Sequence, residues 1–422
     1  MPSVLPPSRA AAYSCAPPHP QAVTCPMKAL DGLVVLDLTH MVAGPFATMV
    51  LADLGAETIK IEPPGGEATR RLLADQPAYQ IDGLSAYLLA LSRNKKSLGL
   101  DLKSENGLAL FLRLAETADV VVDNFSPGVT RRLGIDPATL AARNPRVVTC
   151  SITGFGGDSD AGRTAFDLVA QGMGGGMSVT GEPDGRPVRA AIPIGDLGAA
   201  LFAVIGIQAA LAARARSGAG QHVDIAMLDG QISLLTYMAT MALMDGRPPA
   251  RVGNGHLNHV PYGTFATRTR DLIVAVVTDH HWQALVEELG RDDLREPAYA
   301  TAAGRLKARA AIDAALGEVL AADTCEAWLA RLDARRIPAA PVNDMLAALG
   351  DPQVLARNMV VDLALAGGTA GVPGNPVKLS ATPGEDFAPP PAVGADTDAV
   401  LRDKLGLDAA ETAALRDAGV VA

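Results

Sequence analysis

The chain has 422 residues, 49% of them hydrophobic, which is enough for a sizeable core in one large domain or two. Its formal net charge of −10 argues against binding to nucleic acid or to an anionic membrane, because both need a basic surface. The four cysteines form no CxxC pair and no cluster with histidines. This pattern predicts no metal site and no disulfide framework, and it favours a reducing cytoplasm.

The first 26 residues differ from the rest of the chain. Residues 1–26 are rich in proline and alanine, contain one arginine, Arg9, and no lysine, and have no apolar segment after a basic start. They therefore resemble neither a secretory signal nor an organelle presequence. We expect this tail to be disordered, or to result from a start codon placed too early, with Met27 opening the first well-patterned segment.

Strand and helix patterns alternate in the first half of the chain. An apolar run at 33–38 predicts a strand, 46–54 a helix and 57–62 a second strand, and the same order recurs from 97 to 152. Alternation of this kind predicts an α/β fold with helices covering a parallel sheet. We expect three parts after the tail: a large domain at 27–225, a small domain at 226–348, and a C-terminal segment at 349–422 that returns to the large domain.

Ligands of parallel sheets bind beyond the carboxyl ends of the strands. The loops in question are 40–45, 63–67, 124–128 and 154–164. The sequence contains no GxGxxG motif after the first strand and no GxxxxGK[ST] loop. The motifs typical of proteins that bind nicotinamide dinucleotides or nucleoside triphosphates are therefore absent from it. A glycine-rich stretch at 171–177 fits a close ligand or close helix packing equally well.

The loop at 124–134 offers an amide, an aromatic ring and two arginines, which suit a ligand with a planar base and phosphates. A Pro-Gly turn with surface arginines is the alternative. Lys95, Lys96 and Lys103 add local positive charge to an otherwise acidic chain.

Other candidate residues have weaker support. His256 and His259 lack a nearby carboxylate, so a solvated loop is favoured over a metal site. Ser151 and Ser159 lack a GxSxG motif, which argues against a serine hydrolase. Cys150 lies in a predicted strand, where a buried small apolar side chain is expected.

Asp196 is a solitary carboxylate before an apolar run at 197–213. Gly206 and Gln208 interrupt this run, and a core helix is favoured over a membrane span. At the start of such a helix, backbone N–H groups and the helix dipole are expected to favour the ionised form. An ordinary N-cap is one interpretation. Because Gly195 and Gly198 leave room for another molecule, a nucleophilic carboxylate is the other.

Several stretches resemble the class III coenzyme A transferases, the family of formyl-CoA transferase and the carnitine CoA-transferases. The likeness extends from about Lys28 to the C-terminus. Its clearest motifs are LDGLVVLDLTHMVAGPF at 30–46, SRNKKSLGLDLKSENG at 92–107, ADVVVDNFSPGVTRRLGI at 118–135, GRTAFDLVAQGMGG at 162–175 and PIGDLGAALFAVIGIQAAL at 193–211.

The resemblance implies a large Rossmann-like parallel-sheet domain that binds CoA, a smaller α+β domain and an interlocked homodimer. It also implies that Asp196 attacks an acyl-CoA thioester, giving a mixed anhydride and then an aspartyl-CoA thioester, from which CoA passes to a small carboxylic acid. No cofactor is permanently bound, since the CoA thioester is a substrate. The implied CoA contacts are Val42, Ala43, Leu100, Lys103, Asn124, Phe125, Arg132, Thr164, Phe166 and Asp167.

Departures from the family pattern bear on the substrate. Pro63 stands where some members have an adenine-stacking arginine, and Val42 stands where formyl-CoA transferase has glutamine, which disfavours formyl or oxalate specificity. A short acyl-CoA is expected as donor, with succinyl-CoA the suggested case. The alternatives are an alpha-methylacyl-CoA racemase, which needs a histidine where Phe166 stands, and a CoA-binding subunit of a heteromeric transferase.

Overall fold

A computed structural model describes residues 27–73, 75–157 and 163–422 of the chain. The expectations for the N-terminal tail and for Ser159 fall on residues outside these ranges. The strands are β1 Val34–Asp37, β2 Glu57–Glu62, β3 Gln80–Ile81, β4 Leu84–Ser85, β5 Lys95–Gly99, β6 Val120–Asp123, β7 Val148–Thr153, β8 His222–Ala226, β9 Tyr262–Phe265, β10 Leu272–Ala275, β11 Ala339–Pro341, β12 Val360–Leu365 and β13 Gly368–Pro373.

The helices follow the same chain order. They are α1 Ala43–Asp53, α2 Ala86–Leu91, α3 Glu105–Thr117, α4 Val129–Leu133, α5 Pro137–Arg143, α6 Asp167–Met173, α7 Gly176–Val179, α8 Ile194–Ser217, α9 Met227–Leu234, α10 Tyr237–Asp245, α11 Asp279–Leu289, α12 Ala302–Lys307, α13 Arg309–Leu320, α14 Cys325–Ala334, α15 Met345–Leu349, α16 Pro352–Ala356, α17 Thr397–Leu405 and α18 Ala409–Asp417. Short 3₁₀ helices lie at Ala68–Arg71, Pro77–Tyr79, Asp292–Arg295 and Pro297–Tyr299.

A six-stranded parallel sheet in the order β5-β2-β1-β6-β7-β8 forms the large part of the molecule. The predicted α/β class with a large parallel sheet is therefore confirmed. Along the chain, β2 and β5 are added on one side of β1, and β6, β7 and β8 are then added on its other side. The direction in which strands are added therefore reverses between β1 and β6. Ligands bind at such a reversal, which brings the loops after β1 and β6 side by side.

Helices cover both faces of the sheet. On one face, α1 and the small side chains of α8 pack on β1, β6 and β7 in a core that includes Val35, Val122 and Ala203. On the other face, α3 and α17 contribute Phe111 and Leu401 to a second core. The C-terminal segment reaches the same core, where Val421 forms a β-bridge with Leu100.

A separate core holds the smaller part together. β9, β10 and β11 form an antiparallel sheet, and α11 to α14 pack against it through Trp282, Leu316 and Trp328. The β12–β13 hairpin belongs to a small cluster with Leu89 of α2.

Several element boundaries differ from the sequence expectation. The helix expected over 227–244 is broken into α9 and α10, because Thr236 has φ of 49° and lies in the left-handed region that interrupts a helix. α8 begins at Ile194 instead of 197, with Pro193 as its N-cap. Asp196 consequently lies inside the first turn of α8, and it is not the N-cap.

α8 is long and apolar enough to cross a membrane by length and composition alone. In this fold it packs against α1, α9 and β7. One side of the helix nevertheless carries exposed apolar side chains, including Leu201 and Ile205, which are 52% and 61% exposed.

Candidate active site

A buried ionic network holds the loop that follows β1. The Asp37 carboxylate, at the end of β1, accepts hydrogen bonds from the Thr39 backbone N–H at 2.9 Å, the Thr48 hydroxyl at 2.8 Å and the Lys95 ammonium at 2.9 Å. Burial opposes ionisation of Asp37, but the charges of Lys95 and Lys60 outweigh it and lower its pKa to about 2. Burial lowers the pKa of Lys95 to about 8.

The local positive charge expected from Lys95 and Lys96 is neutralised by ion pairs. The Lys95 ammonium is fully buried against Asp37, and Lys96 pairs with Glu57 at 2.6 Å. Neutralised charges of this kind position the chain around the site and do not meet a ligand.

Two further contacts fix the loop after β1. Lys60 Nζ donates to the Thr39 carbonyl at 2.9 Å. Asn124, in the loop after β6, accepts from the His40 N–H at 2.9 Å and donates to the His40 carbonyl at 2.7 Å. The Asn124 amide thus joins the two loops at the point where the strand order reverses.

A cavity of about 390 Å³, here called the Phe125 cavity, lies beside these loops. Its lining contains the Phe125 ring, the His40 imidazole, two basic side chains, several apolar side chains and three carboxylates, which are Glu62, Glu67 and Asp101. The Phe125 and His40 rings are 5.7 Å apart between centroids. The lining residues used below are His40, Arg71, Leu100, Lys103, Phe125 and Leu133. The fold therefore brings together Leu100, Lys103 and Phe125, three of the residues expected to contact CoA.

Asp196 and Asp167 lie in the first turns of α8 and α6. Asp167 Oδ1 accepts from the Gly195 N–H at 2.8 Å, and Asp167 Oδ2 accepts from Gln171 Nε2 at 2.8 Å. The half-buried Asp196 carboxylate makes no hydrogen bond or ion pair with the described residues. The Asp167 carboxylate is thus satisfied by hydrogen bonds within the fold, whereas the Asp196 carboxylate has no such partner among the described residues.

Burial raises the pKa of Asp196 to about 6, and the negative charge of Asp167 adds to this effect. Burial and a like charge therefore oppose ionisation of Asp196, against the expectation that its ionised form is favoured. A carboxylate with a raised pKa is more basic and more nucleophilic when ionised. At neutral pH it is still mostly in that form.

A second cavity, the Leu197 cavity, has a volume of about 480 Å³. Pro193 and Leu197 line it from the first turn of α8, on either side of Asp196 in sequence, and Val42 lines it from the loop after β1. The loop at 38–42 thus contributes His40 to the Phe125 cavity and Val42 to the Leu197 cavity.

Several other residues expected to contact CoA do not themselves line these cavities. Ala43 is 5% exposed and belongs to the core between the sheet and α8. Arg132 and Thr164 are exposed on the surface. Phe166, the N-cap of α6, is 69% exposed.

Other sequence features have structural explanations. A side chain at Gly174 would place its Cβ 2.4 Å from Gln231 Cβ, so close packing accounts for this glycine. His256 and His259 lie in the partly exposed loop before β9, as expected, and their rings are 4.5 Å apart. Cys150 is buried, and burial raises the pKa of its thiol.

The sequence did not indicate that His40, Lys60 and Gln171 contribute to the candidate site. His40 lies in a loop that the sequence marked as a ligand site, so its position after β1 was an available signal. Lys60 and Gln171 act through contacts with distant segments, and nothing in their local sequence indicates those partners.

The chain matches the model of CoA-transferase family III over residues 30–397. It is 38% identical over 389 residues to a succinate–glutarate CoA-transferase of Agrobacterium fabrum, covering 89% of this chain and 95% of the relative. It is also 38% identical over 359 residues to an acetyl-CoA:oxalate CoA-transferase of Acetobacter aceti, covering 84% and 90%. A crystal structure of a CAIB/BAIF family protein from Brucella suis superposes with a TM-score of 0.80 at 35% identity, covering 89% of this chain and 99% of that one.

Proposed function

Because this chain belongs to CoA-transferase family III and is an acyl-CoA:carboxylate CoA-transferase, we propose that Asp196 is its nucleophile. The observation that carries this proposal is the Asp196 carboxyl itself. It lies in the first turn of α8, is half-buried, has no partner among the described residues, and has a pKa raised to about 6. A carboxylate held this way is available for covalent chemistry.

The proposed reaction begins with attack of an Asp196 oxygen on the thioester carbonyl carbon. The C–S bond breaks, CoA thiolate leaves, and a mixed anhydride forms. The thiolate then attacks the Asp196 carbonyl carbon, which releases the donor acid as a carboxylate and gives an aspartyl-CoA thioester. Each step passes through an oxyanion that backbone N–H groups can stabilise.

The acceptor acid completes the cycle. Its carboxylate attacks the aspartyl thioester and expels CoA thiolate, giving a second mixed anhydride. The thiolate attacks the acceptor's carbonyl carbon, which forms the new acyl-CoA and regenerates the Asp196 carboxylate. Atoms and charge balance without a metal or a redox partner.

We assign the CoA nucleotide to the Phe125 cavity. The Phe125 ring suits a planar base, and the exposed Lys103 and Arg71 suit phosphates. Pairing of Asn124 with His40 supports the wall of this cavity. The donor is a short acyl-CoA, for which succinyl-CoA is the first case to test.

A racemase is disfavoured. Proton exchange at an α-carbon needs two bases, and Phe166, the neighbour of Asp167, has no basic group. Solvent deuterium that enters the α-carbon of a bound acyl-CoA would support the racemase instead.

The functional test is CoA exchange between succinyl-CoA and a panel of acids, followed by mass spectrometry. We expect new acyl-CoA species with the wild-type protein and none with Asp196→Asn. Asp398→Asn is the matched control, because Asp398 also lies in the first turn of a helix but pairs with Arg416 on the surface. Retention of CoA binding by Asp196→Asn separates lost chemistry from a misfolded chain. Full transfer by Asp196→Asn would show that the nucleophile lies elsewhere.

We further propose that the protein acts as a homodimer. Exposed apolar side chains run along α8 at Leu201 and Ile205, and Leu243 and Met244 of α10 are 86% and 84% exposed. Apolar surface of this extent is typical of an interface. Light scattering should show a dimer for the wild-type chain and a shift toward monomer for Ile205→Glu. A monomeric wild-type chain would contradict the proposal.

A further inference from the structure

The start of α8 is held by a side chain of another helix. Pro193 is the N-cap of α8 and makes no side-chain hydrogen bond, so the first backbone N–H groups of α8 need acceptors from elsewhere. Asp167 of α6 supplies one, since its Oδ1 accepts from the Gly195 N–H at 2.8 Å. Asp167 thus acts on α8 as an N-cap side chain ordinarily does. Because Gly195 immediately precedes Asp196, this bond lies one residue from the proposed nucleophile.

The contact between α6 and Gly195 is close. A Cβ added at Gly195 would lie 3.0 Å from Asp167 Oδ1 and 3.3 Å from Ala170 Cβ. This spacing leaves little room for a side chain, so α6 packs against the backbone beside Asp196. A displacement of the Asp167 side chain therefore acts directly on the backbone that carries Asp196.

Gln171 lies one helical turn after Asp167 and holds its carboxylate in place. The Gln171 side chain is 2% exposed, its Nε2 donates to Asp167 Oδ2 at 2.8 Å, and its Oε1 accepts from the Ala190 N–H at 2.9 Å. Since Asp167 in turn holds Gly195, the segment 190–195 is hydrogen-bonded to α6 at both of its ends.

The amide of Gln171 suits both of its partners. The Asp167 carboxylate is an acceptor and the Ala190 N–H is a donor, so the bridging group has to donate on one side and accept on the other. A glutamate of the same shape would place a second buried carboxylate against Asp167, which favours uptake of a proton by one of the two. A methionine would fill similar space and make neither hydrogen bond.

We propose that Gln171 is a positioning residue for CoA transfer, which holds Asp167 and the segment 190–195 in one arrangement and thereby presents the Asp196 carboxylate to the thioester carbonyl. Gln171 acts through these groups, because its side chain is buried and both ends of its amide are engaged within the fold. The inference rests on the proposed function, since it needs Asp196 as the reacting group.

Exchange of labelled succinate into succinyl-CoA measures the complete transfer without a second acid. Gln171→Met should lower kcat about tenfold or more, because a small misplacement of a reacting group is costly, while KM for succinyl-CoA stays within about twofold. Asn144→Leu is the matched control. The Asn144 amide donates to the Ala115 and Ala118 carbonyls near the amino ends of β6 and β7, so its loss should lower the thermal unfolding temperature and leave kcat unchanged.

Gln171→Glu adds a readout that a general loss of stability would not give. Its protonated carboxyl can donate to Asp167 and accept from Ala190 as glutamine does, whereas its ionised carboxylate repels Asp167. The ratio of its kcat to that of the wild type should therefore rise as the pH falls from about 8 to about 6. The same ratio for Gln171→Met should not depend on pH. Gln171→Glu also keeps the test decisive if Gln171→Met unfolds.

A kcat of Gln171→Met within about twofold of the wild type, or a pH-independent ratio for Gln171→Glu, would overturn the inference. Asp196→Asn distinguishes this failure from that of the proposed function. If Asp196→Asn is inactive and both Gln171 variants keep the wild-type kcat, only the positioning role fails. If Asp196→Asn still exchanges succinate, or the wild type does not, the proposed function fails and the inference fails with it.

Discussion

The Asp167 carboxylate accepts the backbone N–H of Gly195 at 2.8 Å, and its charge adds to the effect of burial in raising the pKa of Asp196 to about 6. One carboxylate therefore fixes the start of α8 and also tunes the neighbouring one. The distinction between them lies in hydrogen bonding. Asp167 is satisfied by Gly195 and Gln171, whereas Asp196 has no such partner within the described chain.

The pH dependence of CoA transfer should follow Asp196. Because only the ionised carboxylate attacks, we expect kcat/KM to fall as the pH decreases through about 6. Asp167→Asn removes the like charge while it keeps an oxygen for the Gly195 N–H, so the acid limb should move to lower pH. A pH–rate profile of the two proteins measures this shift. An unchanged or upward-shifted limb would show that Asp167 does not act on Asp196 through its charge.

The free energy of unfolding should also depend on the ionisation of Asp196, but it should fall as the pH rises, whereas the rate of CoA transfer rises. The folded pKa of Asp196 is raised from 3.8 to about 6, so the stability that its protonated form provides is complete below the unfolded pKa and is lost as the pH rises through about 6. At neutral pH, Asp196→Asn should raise the free energy of unfolding by roughly 1–2 kcal/mol, a value reduced for solvent screening. The gain should vanish below the unfolded pKa. Urea unfolding at both pH values tests this, and a gain that persists in acid would contradict it.

Lys103 should contribute to CoA binding. It is an exposed cation on the Phe125 cavity, and we expect Lys103→Ala to raise KM for acyl-CoA about three- to tenfold with little change in kcat. Lys96→Ala is the matched control, since Lys96 is already paired with Glu57. Steady-state kinetics at low and high salt should show a salt-dependent KM for the wild type and a weaker dependence for Lys103→Ala. Equal effects of the two variants on KM would show that Lys103 does not contribute to CoA binding.

Gly174 should be required for packing. An added Cβ would lie 2.4 Å from Gln231 Cβ, so Gly174→Ala should destabilise the fold by roughly 1–3 kcal/mol. Gly317→Ala is the control within α13, where no atom lies within 4 Å of the added Cβ, and it should stabilise the protein by about 0.5–1 kcal/mol. Thermal unfolding distinguishes the two. A neutral Gly174→Ala would show that close packing does not require this glycine.

The sequence was sufficient for the α/β class and for the helix that carries Asp196. Continuous apolar strands and their alternation with helices are local patterns, and the parallel sheet follows from them. The break between α9 and α10 was not predictable in this way. The run at 227–244 is mostly apolar and contains no proline, so nothing in it indicates the positive φ of Thr236.

Charge placement was the least predictable feature. Lys95 stands in a basic stretch of sequence, yet the fold buries it against Asp37. The raised pKa of Asp196 depends on its burial and on the charge of Asp167. Burial is a property of the folded chain, and Asp167 is distant from Asp196 in sequence. Local sequence identifies reactive residue types, but the surrounding dielectric and partners are set by the fold.

The most direct test of the account is covalent trapping on Asp196. The protein is incubated with succinyl-CoA, treated with hydroxylamine, and digested for peptide mass spectrometry. We predict a hydroxamate on the peptide that contains Asp196, absent without the thioester and absent in Asp196→Asn. A hydroxamate on another carboxylate, or active transfer with no modification of the Asp196 peptide, would contradict the assignment of Asp196 as nucleophile.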